Sequence, residues 1–203
     1  MSEPSADPTS IDAQAAPILD FWFGAPGSDS FGAQRRIWFA KDDAFDRLIA
    51  ERFASLIEQA LRSELDAWQA TARGGLARIL LLDQFTRNVF RGDKRSFAGD
   101  AQALSGAMAM VGSRFDEALP SFMRAFVYMP FEHAEGLAMQ DESVRLFSRL
   151  VNDAPELTTA LDYARRHRAV IERFGRFPFR NDVLGRSSTS EEIAFLATQG
   201  SRF

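Results

Sequence analysis

The sequence predicts an all-α protein, folded as a compact multi-helix bundle, and three observations support this fold class. Apolar residues recur at helical spacing through most of the 203-residue chain. No segment of useful length alternates apolar and polar residues, and the hairpin dipeptides Asn-Gly and Asp-Gly do not occur. Caps and helix breakers divide the chain into about eight to ten helices. We therefore expect a disordered leader over residues 1–14 and a single helical domain over residues 15–203.

The first two predicted helices are identified by their ends. The segment APILDFWFG is apolar on nearly all sides and stops at Gly24, a residue typical of a helix C-terminus, which predicts a short buried helix. A longer amphipathic helix is predicted to follow Asp42 and Asp43, which suit an N-cap. Its apolar positions recur every three or four residues from Phe45 to Leu61, with charged residues between them.

The next two helices are predicted from apolar stripes. The segment GGLARILLLDQFTRNVF indicates a central helix that begins after its two glycines. A further helix is predicted to end at Gly112, and its expected buried stripe consists of Ala101, Leu104, Met108 and Val111. Each of these two helices is expected to bury its own apolar face against the rest of the bundle.

Prolines, a glycine and a capping pair set the predicted boundaries in the second half of the chain. Pro120 and Pro130 favour two helices that meet near the second proline, because proline breaks a helix interior. A long helix is predicted to end at Gly175. The last helix is predicted from Thr189 and Glu192, which have the spacing of a capping box.

Composition and charge exclude several functional classes. The formal net charge is −4 and the pI is about 5.3, so the overall charge does not indicate binding to nucleic acid or to a membrane surface. The chain has no cysteine, which excludes disulfides, thiolate metal sites and a cysteine nucleophile. The first residues lack the pattern of a signal peptide and no apolar run is as long as a membrane helix, so we expect a cytoplasmic protein. Whether the protein uses a cofactor is unknown from the sequence.

Three segments contain candidate functional residues, and the first of them is the central helix. Asp83, Gln84, Arg87 and Asn88 are expected to share the face opposite its apolar residues. Amide side chains beside an arginine form a directional hydrogen-bonding surface, so Gln84, Arg87 and Asn88 are candidate ligand-binding residues. The alternative interpretation is a solvated helix face with one weak ion pair.

The second segment is YMPFEHAE. Pro130 is expected to place Glu132 and His133 in the first turn of a helix, where unpaired backbone N–H groups favour a carboxylate. These two residues are the candidate catalytic acid and base, and a purely structural histidine is the alternative. Neither HExxH nor ExxH spacing occurs, so no metal ligands are predicted. His167 lies on an apolar stripe and is interpreted as a core residue.

The third segment runs from Arg165 to Arg186 and contains seven arginines against two acidic residues. The whole chain has 22 arginines and two lysines, and codon bias explains that preference but not a local excess of positive charge. After Gly175, the segment GRFPFRN is expected to form a loop anchored by its aromatic rings. Four side chains in and after this loop are expected to project and bind an anion: Arg176, Arg180, Asn181 and Arg186.

A family resemblance rests on four segments: ILDFWFG, LLLDQFTRNVFRG, YMPFEHAE and HRAVIERFGRFPFRNDVLGRSSTSEEIAFL. Together, from about Pro17 to Ala197, they resemble the bacterial DUF924 family of uncharacterised proteins. The resemblance implies a compact helical protein of the tetratricopeptide-like class, with no established reaction, ligand or cofactor. Thr86 and Phe179 stand where the family usually has a proline (DQFPRN) and a histidine (FPHRN), so a mechanism that needs an imidazole in the arginine loop is not expected. The matching positions, which carry no assigned roles, are Asp83, Gln84, Arg87, Asn88, Glu132, His133, Glu135, His167, Arg176, Arg180, Asn181 and Arg186.

The leading functional hypothesis is a small anionic ligand, bearing phosphate or carboxylate, in an arginine-lined polar cleft, with acid/base or hydrolytic turnover by His133 and Glu132. It predicts that Arg176→Ala and Arg180→Ala leave folding nearly intact and abolish ligand-induced thermal stabilisation. The first alternative is a helical adaptor that recognises an acidic peptide or a partner protein. The second alternative is a buried ion network in which the arginines only hold the helices together. Binding to nucleic acid is disfavoured, because one basic window in an acidic chain offers little room for a phosphate track.

Overall fold

The computed structural model describes residues 7–33, 35–38 and 40–198, and within them the protein is all-α, as the sequence predicts. The described helices are α1 Pro8–Phe23, α2 Asp43–Leu61, α3 (α-helical Ala72–Ile79, π-helical Leu80–Phe85 and α-helical Thr86–Val89), α4 Asp100–Gly112, α5 Ser121–Glu132, α6 Leu137–Asp153, α7 Thr158–Phe174 and α8 Ser190–Leu196. Short 3₁₀ turns lie between them at Arg36–Trp38, Asp66–Ala70, Lys94–Phe97, Asp116–Ala118, Pro155–Leu157 and Pro178–Arg180. None of the described helices has the length and apolar character needed to cross a membrane.

Helix α3 lies at the centre of the fold and is buried from Gly74 to Thr86. It begins at Ala72, before the two glycines and not after them as predicted, with the Thr71 hydroxyl accepting from the N–H of Gly74 at 2.9 Å. A Cβ atom at Gly74 would lie 2.5 Å from the side chain of Ile11 in α1. The glycine therefore lies inside the helix because it lets α1 and α3 pack closely.

Helix α1 begins earlier than the sequence predicts. Asp7 caps it by accepting from the N–H of Thr9, and the side chain of Ile11 is buried. The prediction of a disordered leader over residues 1–14 is therefore wrong from Asp7 onward, and residues 1–6 lie outside the described residues. The helix ends at Gly24, which has φ of 87°, as the sequence predicts.

Helix α4 buries a different face from the one predicted. Met108, in the expected stripe, is 49% exposed. The buried side of α4 consists of Ala103, Gly106, Ala107 and Met110. Small residues face α3 because they let the two helices approach closely, whereas the prediction had chosen the larger apolar residues.

Helix α5 continues through Pro130, so the prediction of two helices meeting there is wrong. The proline lies in the last turn, where the loss of one N–H donor interrupts little of the helix. Glu132 and His133 therefore lie at the C-terminal end of α5 and not in a first turn, as was expected. Here the helix dipole disfavours a negative charge, which is the reverse of the predicted environment.

Aromatic residues form the middle of the hydrophobic core, with the ring of Phe85 in α3 lying 5.3 Å from Trp22 and 5.2 Å from Phe53. A second, smaller cluster of Val170, Ile171 and Phe177 anchors the segment that follows α7. That segment leaves α7 at Gly175, in the left-handed conformation, and α8 begins with the complete capping box of Thr189 and Glu192. Both boundaries were predicted from the sequence.

Candidate functional site

The π-helical turn of α3 positions Asp83 against the end of α5. Such turns insert one extra residue into a helix and are frequent at functional sites. Asp83 is completely buried, and its carboxylate accepts hydrogen bonds from Nδ1 of His133 at 2.7 Å and from Nε2 of Gln84 at 2.6 Å. Nη1 of Arg87 lies 3.1 Å from the same carboxylate. Burial alone would raise the pKa of Asp83, but Arg87 and His133 together hold it below its ordinary range, so the carboxylate is ionised.

Glu132 and His167 lie beside His133. Oε1 of Glu132 is 3.1 Å from Nδ1 of His167, and that nitrogen is 2.9 Å from the backbone oxygen of Tyr163. Burial, and after it the charge of Asp83, raises the pKa of Glu132 to about 8. Burial also lowers the pKa of His133, and burial together with His133 lowers that of His167 to about 3. Both imidazoles are therefore neutral near pH 7.

Arg87 and Arg180 converge on one carboxylate, that of Asp100 at the start of α4. Arg87 donates to both of its oxygens, at 2.9 and 3.1 Å, and Nη1 of Arg180 donates at 3.1 Å. Nη2 of Arg180 donates to the backbone oxygen of His133 at 3.0 Å. These contacts join α3, α4, the end of α5 and the segment after α7 in one network. We call it the central polar cluster, and its members are Asp83, Gln84, Arg87, Asp100, Glu132, His133, His167 and Arg180.

The guanidinium group of Arg180 is buried between aromatic rings. It lies 4.7 Å from the centre of the Phe97 ring and 4.6 Å from that of Phe177. Burial, and after it the neighbouring charge of Arg87, lowers the pKa of Arg180 to about 10, so the side chain stays positively charged at neutral pH. The expectation that Arg180 projects from its loop is wrong, because the rings and Asp100 hold it inside the protein.

Arg176 lies outside the central polar cluster and pairs with Glu192 at the start of α8. Its Nε and Nη2 donate to the two carboxylate oxygens at 2.6 and 2.8 Å, and Nη2 also donates to the backbone oxygen of Ser187. The hydrogen bond from Arg176 lowers the pKa of Glu192 to about 2. Arg176 thus fixes α8 to the segment before it and does not project as a ligand-binding residue.

Arg186 and Asn181 also have structural partners. Arg186 donates to both oxygens of Glu135, at 2.6 and 2.9 Å, and to the side-chain oxygen of Asn181 at 3.0 Å. Asn181 is buried and donates to the hydroxyl of Ser188, so it does not project as expected. Glu135 accepts in addition from the backbone N–H of Phe177. We call Arg173, Arg176, Asn181, Arg186 and their acidic partners the C-terminal arginine segment.

Asn88 faces a different neighbour from the other polar residues of α3. Its Nδ2 donates to Asp46 of α2 at 2.7 Å, and Arg91 contacts the same carboxylate. The expected common face of Gln84 and Asn88 does not form, because the π-helical turn changes the helical spacing between them. Asn88 is therefore not part of the central polar cluster.

Acidic residues from elsewhere in the chain pair with six of the seven arginines between Arg165 and Arg186, and Arg166 instead lies over the ring of Tyr163. Asp100 pairs with Arg180, and Asp141 pairs with Arg168. Other pairs join Arg165 to Asp162, Arg173 to Glu191, Arg176 to Glu192 and Arg186 to Glu135. The local excess of positive charge in the sequence therefore does not produce an unbalanced surface, since most of its partners lie outside that window.

Comparisons with known proteins found one matching family model and one similar solved structure. The sequence model described as "Bacterial protein of unknown function (DUF924)" matches residues 18–200. The chain belongs to the DUF924 family. It is also similar to a solved structure of the protein of unknown function ATU0120 from Agrobacterium tumefaciens, with 40% identity and a TM-score of 0.79, over 91% of this chain and 97% of that one. No curated protein matches the sequence.

Three members of the central polar cluster in this DUF924 protein, Asp83, Asp100 and His167, were not predicted as site residues. Asp100 has no distinguishing sequence signal, because an acid in the first turn of a helix is common for electrostatic reasons alone. His167 was correctly predicted to be buried on the apolar stripe of α7, but nothing in the sequence indicates that it faces Glu132. One ligand atom each from Glu132, His133 and His167 lies within 4.8 Å of the others, an arrangement that could hold a metal ion.

Two surface cavities lie away from the central polar cluster. One, of about 370 Å³, is lined mainly by charged residues such as Arg124 and Arg149, together with Tyr128. The other, of about 360 Å³, is lined by Phe21 and Phe45 among others. No residue of the central polar cluster lines either cavity, so they offer no support for a ligand there.

Proposed function

We propose that this DUF924 protein binds a small molecule, bearing phosphate or carboxylate, at the solvent-facing edge of the central polar cluster. The observation that supports the proposal best is the convergence of Arg87 and Arg180 on the single carboxylate of Asp100. Arginine presents paired N–H donors that match such oxygen atoms. The ligand anion would take the place of the Asp100 side chain, which is 21% exposed.

Arg180 retains hydrogen-bonding capacity in this arrangement. Its Nε is buried and has no acceptor among the described residues. A buried donor without an acceptor costs free energy, and an oxygen of a bound molecule or an ordered water would remove that cost. The rings of Phe97 and Phe177 would hold the guanidinium group in place when the bound anion replaces the carboxylate of Asp100.

Glu132 and His133 are the groups proposed for hydrolytic or acid/base turnover. Arg180 contacts the backbone oxygen of His133, so a molecule held by Arg180 lies beside that residue. Asp83 holds the imidazole from its other side through Nδ1, which fixes the orientation of the ring. Gln84, which donates to Asp83, is the neighbouring amide that would orient the ligand.

This proposal changes the residues assigned to the anion. Arg176, Asn181 and Arg186 are left out because their side chains are hydrogen-bonded within the C-terminal arginine segment. The alternative of a helical adaptor for an acidic partner stays a prediction, and no contact among the described residues favours it.

The test is an isothermal titration of inorganic phosphate into the wild type and Asp100→Asn. Removing the internal carboxylate charge frees the two arginines, so we expect phosphate to bind about tenfold more tightly, or about 1.4 kcal/mol. Asp141→Asn is the matched control, because it removes the exposed partner of Arg168 and should leave the affinity unchanged. An equal change in both variants, or none in Asp100→Asn, would contradict the proposal.

A further inference from the structure

We propose that Glu132, His133 and His167 form a binding site for a divalent transition-metal ion, with zinc as the best match. The three residues come from the end of α5 and from α7, and their ligand atoms lie within 4.8 Å of one another. Two imidazoles and one carboxylate form a ligand set of catalytic zinc sites, which leave a fourth position for water. Magnesium and calcium prefer sets made only of oxygen, so they match less well.

The hydrogen bonds of the two histidines fix the tautomers that a metal requires. Nδ1 of His167 lies 2.9 Å from the backbone oxygen of Tyr163, which can only accept, so this nitrogen carries the proton. Nδ1 of His133 lies 2.7 Å from the carboxylate of Asp83, which also faces Nη1 of Arg87 at 3.1 Å and therefore accepts, so this nitrogen carries its proton as well. Each ring therefore has its lone pair on Nε2. In most metal-binding histidines, one ring nitrogen binds the metal and the N–H of the other donates to a carboxylate or a backbone oxygen, as Nδ1–H does here.

The charge balance around Glu132 favours a cation. Glu132 is buried at the negative end of the α5 dipole, where an ionised carboxylate is disfavoured unless a positive charge compensates it. The arginines of the central polar cluster do not supply that charge, because Arg87 pairs with Asp83 and Asp100 and Arg180 pairs with Asp100. A divalent ion would provide it and would keep the carboxylate ionised.

Closing the site requires movement of side chains. Ligand atoms around a tetrahedral zinc ion lie about 3.4 Å apart, given metal–ligand distances of about 2.1 Å. One nitrogen or oxygen atom from each of the three residues already lies within 4.8 Å of the other two, and coordination through Nε2 requires Glu132 to turn from Nδ1 of His167 toward the ion. His133 is 16% exposed at its side chain, which gives the ion a path from solvent.

Metal binding goes beyond the proposed function and does not depend on it. The two proposals share Glu132 and His133. Side chains that ligate an ion cannot also serve as general acid and base, so a bound ion would replace the turnover role proposed for these residues and leave the anion contacts of Arg87 and Arg180 as proposed.

The test is a titration of chelator-treated protein with Co²⁺ and then Zn²⁺, in buffer without phosphate. We expect one equivalent of Co²⁺ to produce the visible absorption of a tetrahedral site, and Zn²⁺ to displace it. Glu132→Gln keeps the size of the side chain and should weaken binding by at least about 100-fold. Asp83→Asn tests the positioning of His133 and should weaken binding by about 10- to 100-fold.

Glu135→Gln is the matched control, since it changes a carboxylate in the segment between α5 and α6 that pairs with Arg186. Circular dichroism confirms that each variant is folded, and His133→Gln replaces any variant that is not. The wild type binding well below one equivalent, or Glu132→Gln binding as tightly as Glu135→Gln, would overturn the proposal. Because no phosphate is present, a failure of anion binding cannot produce either result.

Discussion

The central polar cluster and the C-terminal arginine segment contain the same kinds of residue in different balance. In the C-terminal arginine segment, each of Arg173, Arg176 and Arg186 contacts its own carboxylate, and the guanidinium groups are partly open to solvent. In the central polar cluster, two arginines share Asp100, while Glu132 is buried beside two neutral imidazoles. In the C-terminal arginine segment each of these arginines therefore has its own acidic partner, whereas in the central polar cluster the positive and negative groups are not paired one to one.

This difference is the reason for proposing a ligand site in the central polar cluster. Matched pairs hold segments together, and those that are open to solvent contribute little stability each. A buried carboxylate without a cationic partner is costly, and such groups are typical of sites that bind or react. The density of arginines in the sequence therefore pointed to a segment whose arginines already have acidic partners. The groups without one-to-one charge partners lie around α3, α5 and α7.

The largest effect is expected from breaking the central polar cluster at Asp83. Asp83→Ala leaves Arg87, His133 and Gln84 without their shared acceptor, so we expect the free energy of unfolding to fall by about 3–5 kcal/mol. Urea unfolding measures it. Asp182→Ala, at an exposed position, is the control and should change stability by less than about 0.5 kcal/mol. An equal loss in the free energy of unfolding in Asp83→Ala and Asp182→Ala would show that Asp83 has no special role in holding the central polar cluster together.

Arginine substitutions should separate the two regions by a smaller amount. Arg180→Ala empties the space between Phe97 and Phe177 and strips a contact from Asp100, so we expect a loss of about 2–3 kcal/mol in urea unfolding. Arg176→Ala removes a side chain that is 30% exposed, against 6% for Arg180, so we expect it to cost less. From the sequence, both variants were expected to keep the fold nearly intact, and the burial of Arg180 changes that expectation for Arg180→Ala. A similar loss of stability in Arg180→Ala and Arg176→Ala would contradict the expected difference between the two regions.

A pH dependence should mark the C-terminal arginine segment. Arg176 lowers the pKa of Glu192 to about 2 from an ordinary value of 4.5. The ionised carboxylate thus contributes stability that is fully present above about pH 4.5 and is lost as the pH falls toward 2. We expect Glu192→Gln to lose more stability relative to the wild type at about pH 5.5 than at about pH 2.5, measured by chemical denaturation. A constant difference would show that Arg176 does not act through this charge.

The smallest effect is expected at Arg168 on the surface of α7. It pairs with Asp141 and Glu172, and all three side chains are solvent-accessible. Arg168→Ala should leave the thermal midpoint unchanged within error at physiological salt, because exposed pairs are screened. A clear drop in the midpoint would show that surface pairs also hold this fold together.

Local signals allowed much of the fold to be predicted from sequence. The cap at Asp42, the helix ends at Gly24 and Gly175 and the capping box of Thr189 all depend on neighbouring residues, and all are present. The end of α5 was missed because the effect of Pro130 depends on where the helix stops, which packing decides.

The candidate site was harder to predict, because its contacts join distant parts of the chain. His133, Glu132, Gln84, Arg87 and Arg180 were identified as polar residues without an evident core role. Their partners Asp100 and His167 come from other helices, and the π-helical turn that directs Asp83 toward α5 has no local sequence signal. The pairing of Arg176 and Arg186 with Glu192 and Glu135 could not be read from charge counts within one window.

The most direct test of the account is the affinity for inorganic phosphate of two matched variants, Arg180→Lys and Arg176→Lys. Both keep the positive charge and lose the paired N–H donors. Isothermal titration should show binding weakened by at least about tenfold in Arg180→Lys and unchanged in Arg176→Lys, with both variants folded by circular dichroism. Loss of affinity in Arg176→Lys alone, equal loss in both, or no binding to the wild type would contradict a ligand site in the central polar cluster.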